Sequence, residues 1–208
     1  MQTTKTKPKT AKDQIRQIIK RPKEKFLTPS QEEYWEILGK NQITICTGPS
    51  GTGKSYISIK KAIDLLWDED NKYEKIVIIK PAVEAEDRTI GSLPGTIEEK
   101  MLPYVFPSYC LIDKIIGKEA REKLKALGII QDLSLNFLRG YNADNVILIF
   151  EECQNASPNQ MKLLLTRIGF NSKIFMSGDI EQSDKFKDKT KSGLFDVKKR
   201  LSDMNDIG

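Results

Sequence analysis

The sequence predicts an α/β protein built on a mostly parallel β-sheet with helices on both faces. Short apolar runs typical of buried strands alternate along the chain with amphipathic segments typical of helices. One apolar run leads into a glycine-rich loop, and another ends in two adjacent glutamates. In a parallel sheet of this kind, ligands bind at the carboxyl ends of the strands. We therefore expect the functional residues to lie in the loops that follow the strands.

Five apolar runs are the predicted strands, and they cover residues 42–47, 75–80, 132–138, 145–151 and 172–177. The run KIVIIK at 75–80 shows no polar alternation inside it, which is typical of a strand buried on both faces. The predicted helices cover residues 30–39, 55–67, 96–104, 108–127 with a break near Gly117, 158–168 and 193–203. In the second of these, Ile59, Ile63 and Leu66 share one face.

The loop after the first predicted strand, TGPSGTGKS at 47–55, fits the phosphate-binding pattern G-x-x-x-x-G-K-[ST]. Glycines allow the backbone to curl with its N–H groups turned inward, and the N-terminus of the following helix favours an anion. Lys54 adds a positive charge, and the Ser55 hydroxyl can reach Mg²⁺. A nucleoside triphosphate is the expected ligand. The residues expected to bind it are Gly48, Pro49, Ser50, Gly51, Thr52, Gly53, Lys54 and Ser55.

Polar residues follow two later strands at the same predicted edge of the sheet. Glu151 and Glu152 come directly after one apolar run, so that one carboxylate can bind Mg²⁺ and the next can polarise water. Asp179 and Gln182 follow the last run, where they can sense a γ-phosphate. This combination favours hydrolysis over phosphate transfer to a small acceptor.

Charge and composition suggest the organisation of the chain. Residues 1–25 hold nine Lys or Arg against two acids, whereas the rest carries −2 of the whole-chain +5. We expect a basic, flexible arm over 1–25, with a short helix around its isoleucines, and a single domain over 26–208. The arm could follow a nucleic-acid backbone, or it could be a solvated tail.

Other classes of protein are not indicated. The three cysteines are scattered and there is no histidine, so neither a disulfide framework nor a zinc site is expected. No apolar run approaches the roughly 20 residues of a membrane span, and the N-terminus lacks a signal-peptide core. These features predict a cytoplasmic protein without membrane contacts.

Ten segments of the chain, from about residue 27 onwards, resemble in their order the PhoH-like family of P-loop ATPases, which is related to the first RecA-type core of superfamily 1 helicases. The resemblance implies a RecA-like P-loop NTPase core that binds ATP and Mg²⁺. The segments are LTPSQEEY at 27–34, TGPSGTGKS at 47–55, IIKPAVEAED at 78–87, SLPG at 92–95, EEKMLPY at 98–104, NFLRG at 136–140, IFEECQN at 149–155, QMKLLLTRIGFNSK at 160–173, SGDIEQSD at 177–184 and SGL at 192–194.

The resemblance implies roles for further residues. Gln31, in a segment similar to a helicase Q motif, would read the adenine base, although it could also be a polar residue on an amphipathic helix. Lys80 and Arg139 would contact a nucleic-acid backbone, although either could instead pair with a neighbouring carboxylate. The family usually has Asp where this chain has Glu151, and the added methylene alters the expected hold on Mg²⁺.

These expectations combine into a Mg²⁺-dependent ATPase coupled to RNA or single-stranded DNA. Lys54, Glu152, Asp179 and Gln182 would be its catalytic residues, and Ser55 with Glu151 would hold the metal. One core alone cannot convert turnover into movement, so self-association into a ring, such as a hexamer, is expected. The alternatives are an ATP-dependent nucleic-acid-binding regulator with little turnover and a small-molecule P-loop kinase.

The family pattern also implies a further strand and an Arg-His-Pro segment after residues 204–208. We therefore expect the domain to end short of that strand, with one edge of the sheet unpaired and with slow hydrolysis. Arg139 and Arg167 are then the remaining candidates for an arginine at the γ-phosphate.

Overall fold

The computed structural model describes residues 10–81, 97–201 and 207–208. The arm residues 1–9, most of the PAVEAED sequence and the SLPG segment lie outside the described residues. The α-helices and β-strands within the described residues are α1 (Ala11–Ile18), α2 (Pro29–Lys40), β1 (Ile43–Thr47), α3 (Lys54–Trp67), β2 (Lys75–Lys80), α4 (Ile97–Ile116), α5 (Lys118–Ala126), β3 (Ile130–Ser134), β4 (Val146–Phe150), α6 (Pro158–Leu165), β5 (Lys173–Gly178) and α7 (Gly193–Leu201).

The five strands form one parallel sheet in the order β1-β5-β4-β2-β3. Successive residues of β2 face opposite sides, because strand side chains alternate. Ile76 and Ile78 pack in a core with residues of α1 to α5, whereas Val77 and Ile79 pack in a second core with residues of α6 and α7. The predicted fold class, an α/β fold with helices on both faces of a parallel sheet, is confirmed.

One predicted strand has a different position and ending. The run expected over 132–138 is a strand only over Ile130–Ser134, and a 3₁₀-helix follows over Leu135–Leu138. Leu135 and Leu138 are both fully buried, three residues apart, which suits a 3₁₀ turn better than an alternating strand. The end of the strand is therefore set by packing rather than by the length of the apolar run.

The helix expected to stop at residue 104 continues through two prolines. α4 is uninterrupted from Ile97 to Ile116 and contains Pro103 and Pro107. These prolines are four residues apart, so the N–H that Pro107 lacks is the one that would bond to the Pro103 carbonyl. The predicted break near Gly117 is confirmed, because Gly117 (φ 85°) separates α4 from α5.

The basic N-terminal segment is docked where the structure describes it, which corrects our expectation of a flexible arm for residues 10–25. The short helix α1 is present, with Ile15 fully buried. Lys12 Nζ donates hydrogen bonds of 2.7 Å to the carbonyl oxygens of Leu66 and Asp68, at the end of α3. Helix ends leave such carbonyls unpaired, and cations stabilise them. Lys12 therefore anchors α1 to the end of α3.

We expected one edge of the sheet to be unpaired, and the outer edge of β1 is partly paired. Ile207 forms a parallel bridge with Ile43. The Ile45 N–H donates to the Gly208 carbonyl at 2.7 Å, and the Gly208 N–H donates to the Ile43 carbonyl at 3.1 Å. Residues 207–208 therefore lie beside the first half of this strand.

No helix in the described part of the chain has the length and apolar character needed to cross a membrane.

Because α1 packs against the core, weakening this packing should lower the stability of the fold. Ile15→Ala should lower the free energy of unfolding by about 2–5 kcal/mol, because it removes a fully buried side chain. Urea denaturation measures this change. Lys23→Gln, an exposed change in the same segment, is the matched control and should have little effect. Equal stabilities of the two variants would show that α1 is not part of the core.

Candidate functional site

The phosphate loop connects β1 to α3 and curls around the ammonium group of Lys54. Lys54 Nζ donates hydrogen bonds of 2.6 Å to the carbonyl oxygens of Gly48 and Pro49. Gly53 takes the left-handed conformation (φ 89°), and a Cβ there would lie 2.9 Å from the amide nitrogen of Gln31. The N-cap residue Gly53 has no side chain to cap the start of α3, so the first N–H groups of this helix can bind an anion.

The first carboxylate after β4 is buried and paired. Oε2 of Glu151 lies 2.8 Å from Nζ of Lys80 and accepts a hydrogen bond from the Ser108 hydroxyl. Ser55 also lies close enough to Glu151 to favour its charged form. Burial raises the pKa of the Glu151 carboxyl, but the Lys80 charge and these hydrogen bonds outweigh it and hold the pKa below its ordinary value. Glu151 is therefore an ionised oxygen donor beside Ser55.

The second carboxylate is exposed, and a buried glutamine holds it. Glu152 has a left-handed backbone (φ 56°, ψ 38°). Gln154, which is 2% exposed, donates from Nε2 to Oε2 of Glu152 at 2.7 Å and accepts from the Asp179 N–H at 3.1 Å. Gln154 was assigned no role from the sequence. The sequence shows only that Gln154 belongs to the segment 149–155. A single glutamine in a sequence does not indicate that it is buried.

Asp179 and Gln182 lie in the turn after β5, next to the phosphate loop. The Gly48 N–H donates to the Gly178 carbonyl at 3.3 Å, where the loop and the turn begin. Gln182 Nε2 donates to the Ser50 hydroxyl at 3.2 Å. The turn after β5 therefore contacts the phosphate loop through both backbone and side chain.

A cavity of about 300 Å³ brings together most of the residues predicted for phosphate binding and catalysis. Glu151 does not line this cavity, but it lies near Ser55, which does. The lining residues are Ser50, Gly51, Gly53, Lys54, Ser55, Tyr56, Leu111, Glu152, Ser177, Gly178, Asp179 and Gln182. The arrangement can hold an anionic group at Lys54, in the same cavity that Glu152 lines.

A second cavity of about 580 Å³ shares loop residues with the first and contains Gln31. Tyr34 and Cys46 also line it. The Gln31 amide donates to the Thr52 carbonyl at 3.1 Å and accepts from the Leu27 N–H at 3.0 Å. Both ends of the amide are thus held by the protein. Contact between Gln31 and a base would require one of these bonds to be exchanged.

The two predicted nucleic-acid contacts are not brought together. Lys80 is 7% exposed and is paired with Glu151. A buried ammonium does not reach a nucleic-acid backbone, so pairing with a carboxylate replaces our assignment of Lys80 to nucleic acid. Arg139 is exposed and lines a separate cavity of about 370 Å³ with residues of α6.

The Ser55 hydroxyl and the Glu151 carboxylate fit a magnesium ion, because Mg²⁺ prefers oxygen ligands. Among the described residues, no group of three or more His, Cys, Asp or Glu side chains could hold a metal ion. A cation at Ser55 and Glu151 would therefore need additional oxygen ligands from a bound phosphate. Magnesium sites of this composition usually accompany a nucleotide.

Comparisons with known proteins identify a family that this chain matches. The family described as PhoH-like protein matches residues 24–208. The PhoH-like protein of Bacillus subtilis is 38% identical over 180 residues, which cover 86% of this chain and 55% of that protein. The protein PhoH of Escherichia coli K12 is 32% identical, with 86% of this chain and 50% of that protein covered. The chain spans about half the length of the curated relatives it matches.

Solved structures also include a chain that is similar to this one. The helicase domain of Pyrococcus furiosus Hef matches 86% of this chain and 37% of that chain, with a TM-score of 0.49 and 16% sequence identity.

Because side chains pack closely around Gly178 at the end of β5, adding a methyl group there should lower the stability of the fold. In Gly178→Ala the new Cβ would lie 2.6 Å from Gln154 Oε1 and 2.8 Å from Leu194 Cδ2. We expect the free energy of unfolding to fall by about 1–3 kcal/mol in urea denaturation. The control is Gly39→Ala, whose Cβ would meet only the flexible end of Lys61 at 3.2 Å. Equal stability of both variants would refute the packing of Gln154 against this turn.

Proposed function

Because the chain belongs to the PhoH-like protein family, we propose that it is a Mg²⁺-dependent ATPase coupled to RNA or single-stranded DNA. One observation carries the proposal. The phosphate loop, Glu152, Asp179 and Gln182 border the same cavity, although they come from three separate stretches of the chain. Family membership and fold support a nucleotide-binding P-loop protein, and this convergence favours hydrolysis.

Binding of the β- and γ-phosphates is assigned to the loop. Lys54 Nζ would exchange its bonds to the Gly48 and Pro49 carbonyls for bonds to phosphate oxygens, which are stronger because both partners are charged. The first N–H groups of α3 would complete the contact. Ser55 and Glu151 would hold Mg²⁺, which neutralises phosphate charge when bound. Gln31 lines the adjoining cavity and is proposed to contact adenine there.

Activation of water is assigned to Glu152. Its carboxylate lines the cavity, and its bond to Gln154 restricts its orientation. A carboxylate in this position can accept a proton from water or orient it for in-line attack. Asp179 is linked to the same glutamine, and Gln182 is linked to Ser50 of the loop. Displacement of the Gln182 contact by a γ-phosphate would transmit the state of the nucleotide to the turn.

An arginine is missing from the described lining of the cavity. Arg139 lines a different cavity. An arginine at the γ-phosphate contributes about 10³–10⁵ in rate, so the chain alone should hydrolyse ATP slowly. We propose that neighbouring subunits of a ring, such as a hexamer, supply this group. The same observation favours the second candidate function, an ATP-dependent nucleic-acid-binding regulator with little turnover.

Two substitutions test the assignment of the site. Lys54→Ala should weaken ATP binding at least about tenfold, because it removes a charge-assisted contact. Glu152→Gln should retain ATP binding but slow phosphate release by about 10²-fold or more. Calorimetry measures the first effect, and turnover with and without RNA or single-stranded DNA measures the second. Unchanged ATP affinity in folded Lys54→Ala would refute the site, whereas binding without turnover in the unmodified chain would favour the regulator.

The nucleic-acid surface is proposed to include Arg139. The neighbouring Phe137 is 51% exposed, and exposed aromatic rings stack on unpaired bases. Arg139→Gln should reduce the slope of log affinity for single strands against log salt by about 0.7, the value for one phosphate contact. The control is Arg200→Gln, another exposed arginine, which pairs with Asp196 in α7. The same slope for both variants would exclude Arg139 from the interface.

A further inference from the structure

A buried polar cluster joins three elements of the fold next to the phosphate loop. Lys80 is the last residue of β2, Glu151 follows β4, and Ser108 lies in α4. The side chains of Lys80 and Glu151 are 9% and 3% exposed, and Ser108 is 1% exposed. Removing one partner from such a cluster leaves a buried charge unpaired, which is strongly unfavourable. The geometry of the cluster is therefore firmly held.

Both donors of the cluster bind the same carboxylate oxygen. Nζ of Lys80 lies 2.8 Å from Oε2 of Glu151, and the Ser108 hydroxyl donates to that same Oε2. The other oxygen, Oε1, receives neither bond. A glutamate has one more rotatable bond than an aspartate, so its carboxylate needs more restraint to hold a ligand in a fixed place. Lys80 and Ser108 supply this restraint on the side away from Oε1.

We propose that Lys80 and Ser108 are positioning residues, which fix Oε2 of Glu151 so that Oε1 is available to a divalent cation beside Ser55. The inference rests on the proposed Mg²⁺-nucleotide site. It gives a physical reason why a glutamate serves at this position. Hydrogen-bond partners that orient a metal ligand commonly contribute 10–100-fold to metal affinity.

Two other roles of Lys80 would give different experimental results. A lysine that only stabilises the fold would change unfolding but not the dependence of nucleotide binding on metal. A lysine that contacts nucleic acid would change RNA affinity. Lys125 provides a matched control, because its Nζ pairs with Asp132 at 2.6 Å and neither residue lines the phosphate cavity.

The test is a Mg²⁺ titration of the binding of a fluorescent, non-hydrolysable ATP analogue. Lys80→Met should raise the half-saturating Mg²⁺ concentration by about 10-fold or more, and Ser108→Ala should raise it by a smaller factor. Affinity for the analogue in EDTA should not change in either variant. Lys80→Arg should restore the wild-type value, since it retains the charge. Lys125→Met should lower thermal stability without changing the half-saturating concentration.

Several outcomes would overturn the proposal. An unchanged or lowered half-saturating concentration in folded Lys80→Met would do so, as would a loss of RNA affinity with the metal dependence intact. If Lys80→Met does not fold, Ser108→Ala retains the ion pair, and an unchanged value in that variant overturns the proposal. If the wild-type protein bound the analogue independently of Mg²⁺, this result would refute both the positioning role of Lys80 and Ser108 and the metal site. Absence of any analogue binding would refute the proposed function itself.

Discussion

The position of β5 between β1 and β4 is the constraint on which the candidate site depends. β5 is hydrogen-bonded to both neighbours in parallel register, with Thr47 opposite Gly178 and Phe150 opposite Met176. All three strands therefore end at one edge, where the phosphate loop, the paired glutamates and the turn after β5 meet. β4 and β5 have buried apolar side chains on both faces, so a shift in their register would move these side chains to the wrong core. The two hydrophobic cores thus hold the site in place.

Buried polar side chains convert this shared edge into a defined arrangement. Gln154 connects Glu152 to the Asp179 N–H, and Asn155 accepts hydrogen bonds from the backbone after that turn. On the other side, Lys80 and Ser108 hold Glu151. Buried polar groups of this kind are costly when unpaired, which favours a single conformation. Each of the two glutamates is therefore supported by buried groups that do not belong to the phosphate loop.

The fold and the phosphate site were largely predictable, because both depend on local patterns. A strand, a glycine loop and a helix in succession identify the loop, and the apolar runs identify the five strands. The parts that were wrong depend on tertiary contacts. The sequence around Lys12 is typical of a solvated basic arm, because it does not reveal that the end of α3 lies beside Lys12. From the sequence, Lys80 resembles a surface cation, because its pairing with Glu151 depends on the neighbouring strand. The role of Gln154 could not be predicted either, because it depends on contact with the turn after β5.

A crystal structure with Mg²⁺ and a non-hydrolysable ATP analogue would test the central claim most directly, namely that these strand ends form one nucleotide site. We expect the triphosphate against the phosphate loop, with Lys54 Nζ moved from the Gly48 and Pro49 carbonyls to phosphate oxygens. We also expect the metal between Ser55 and Glu151. A nucleotide bound elsewhere, such as in the cavity of about 450 Å³ between α4 and β3, or a metal without contact to Ser55, would contradict it.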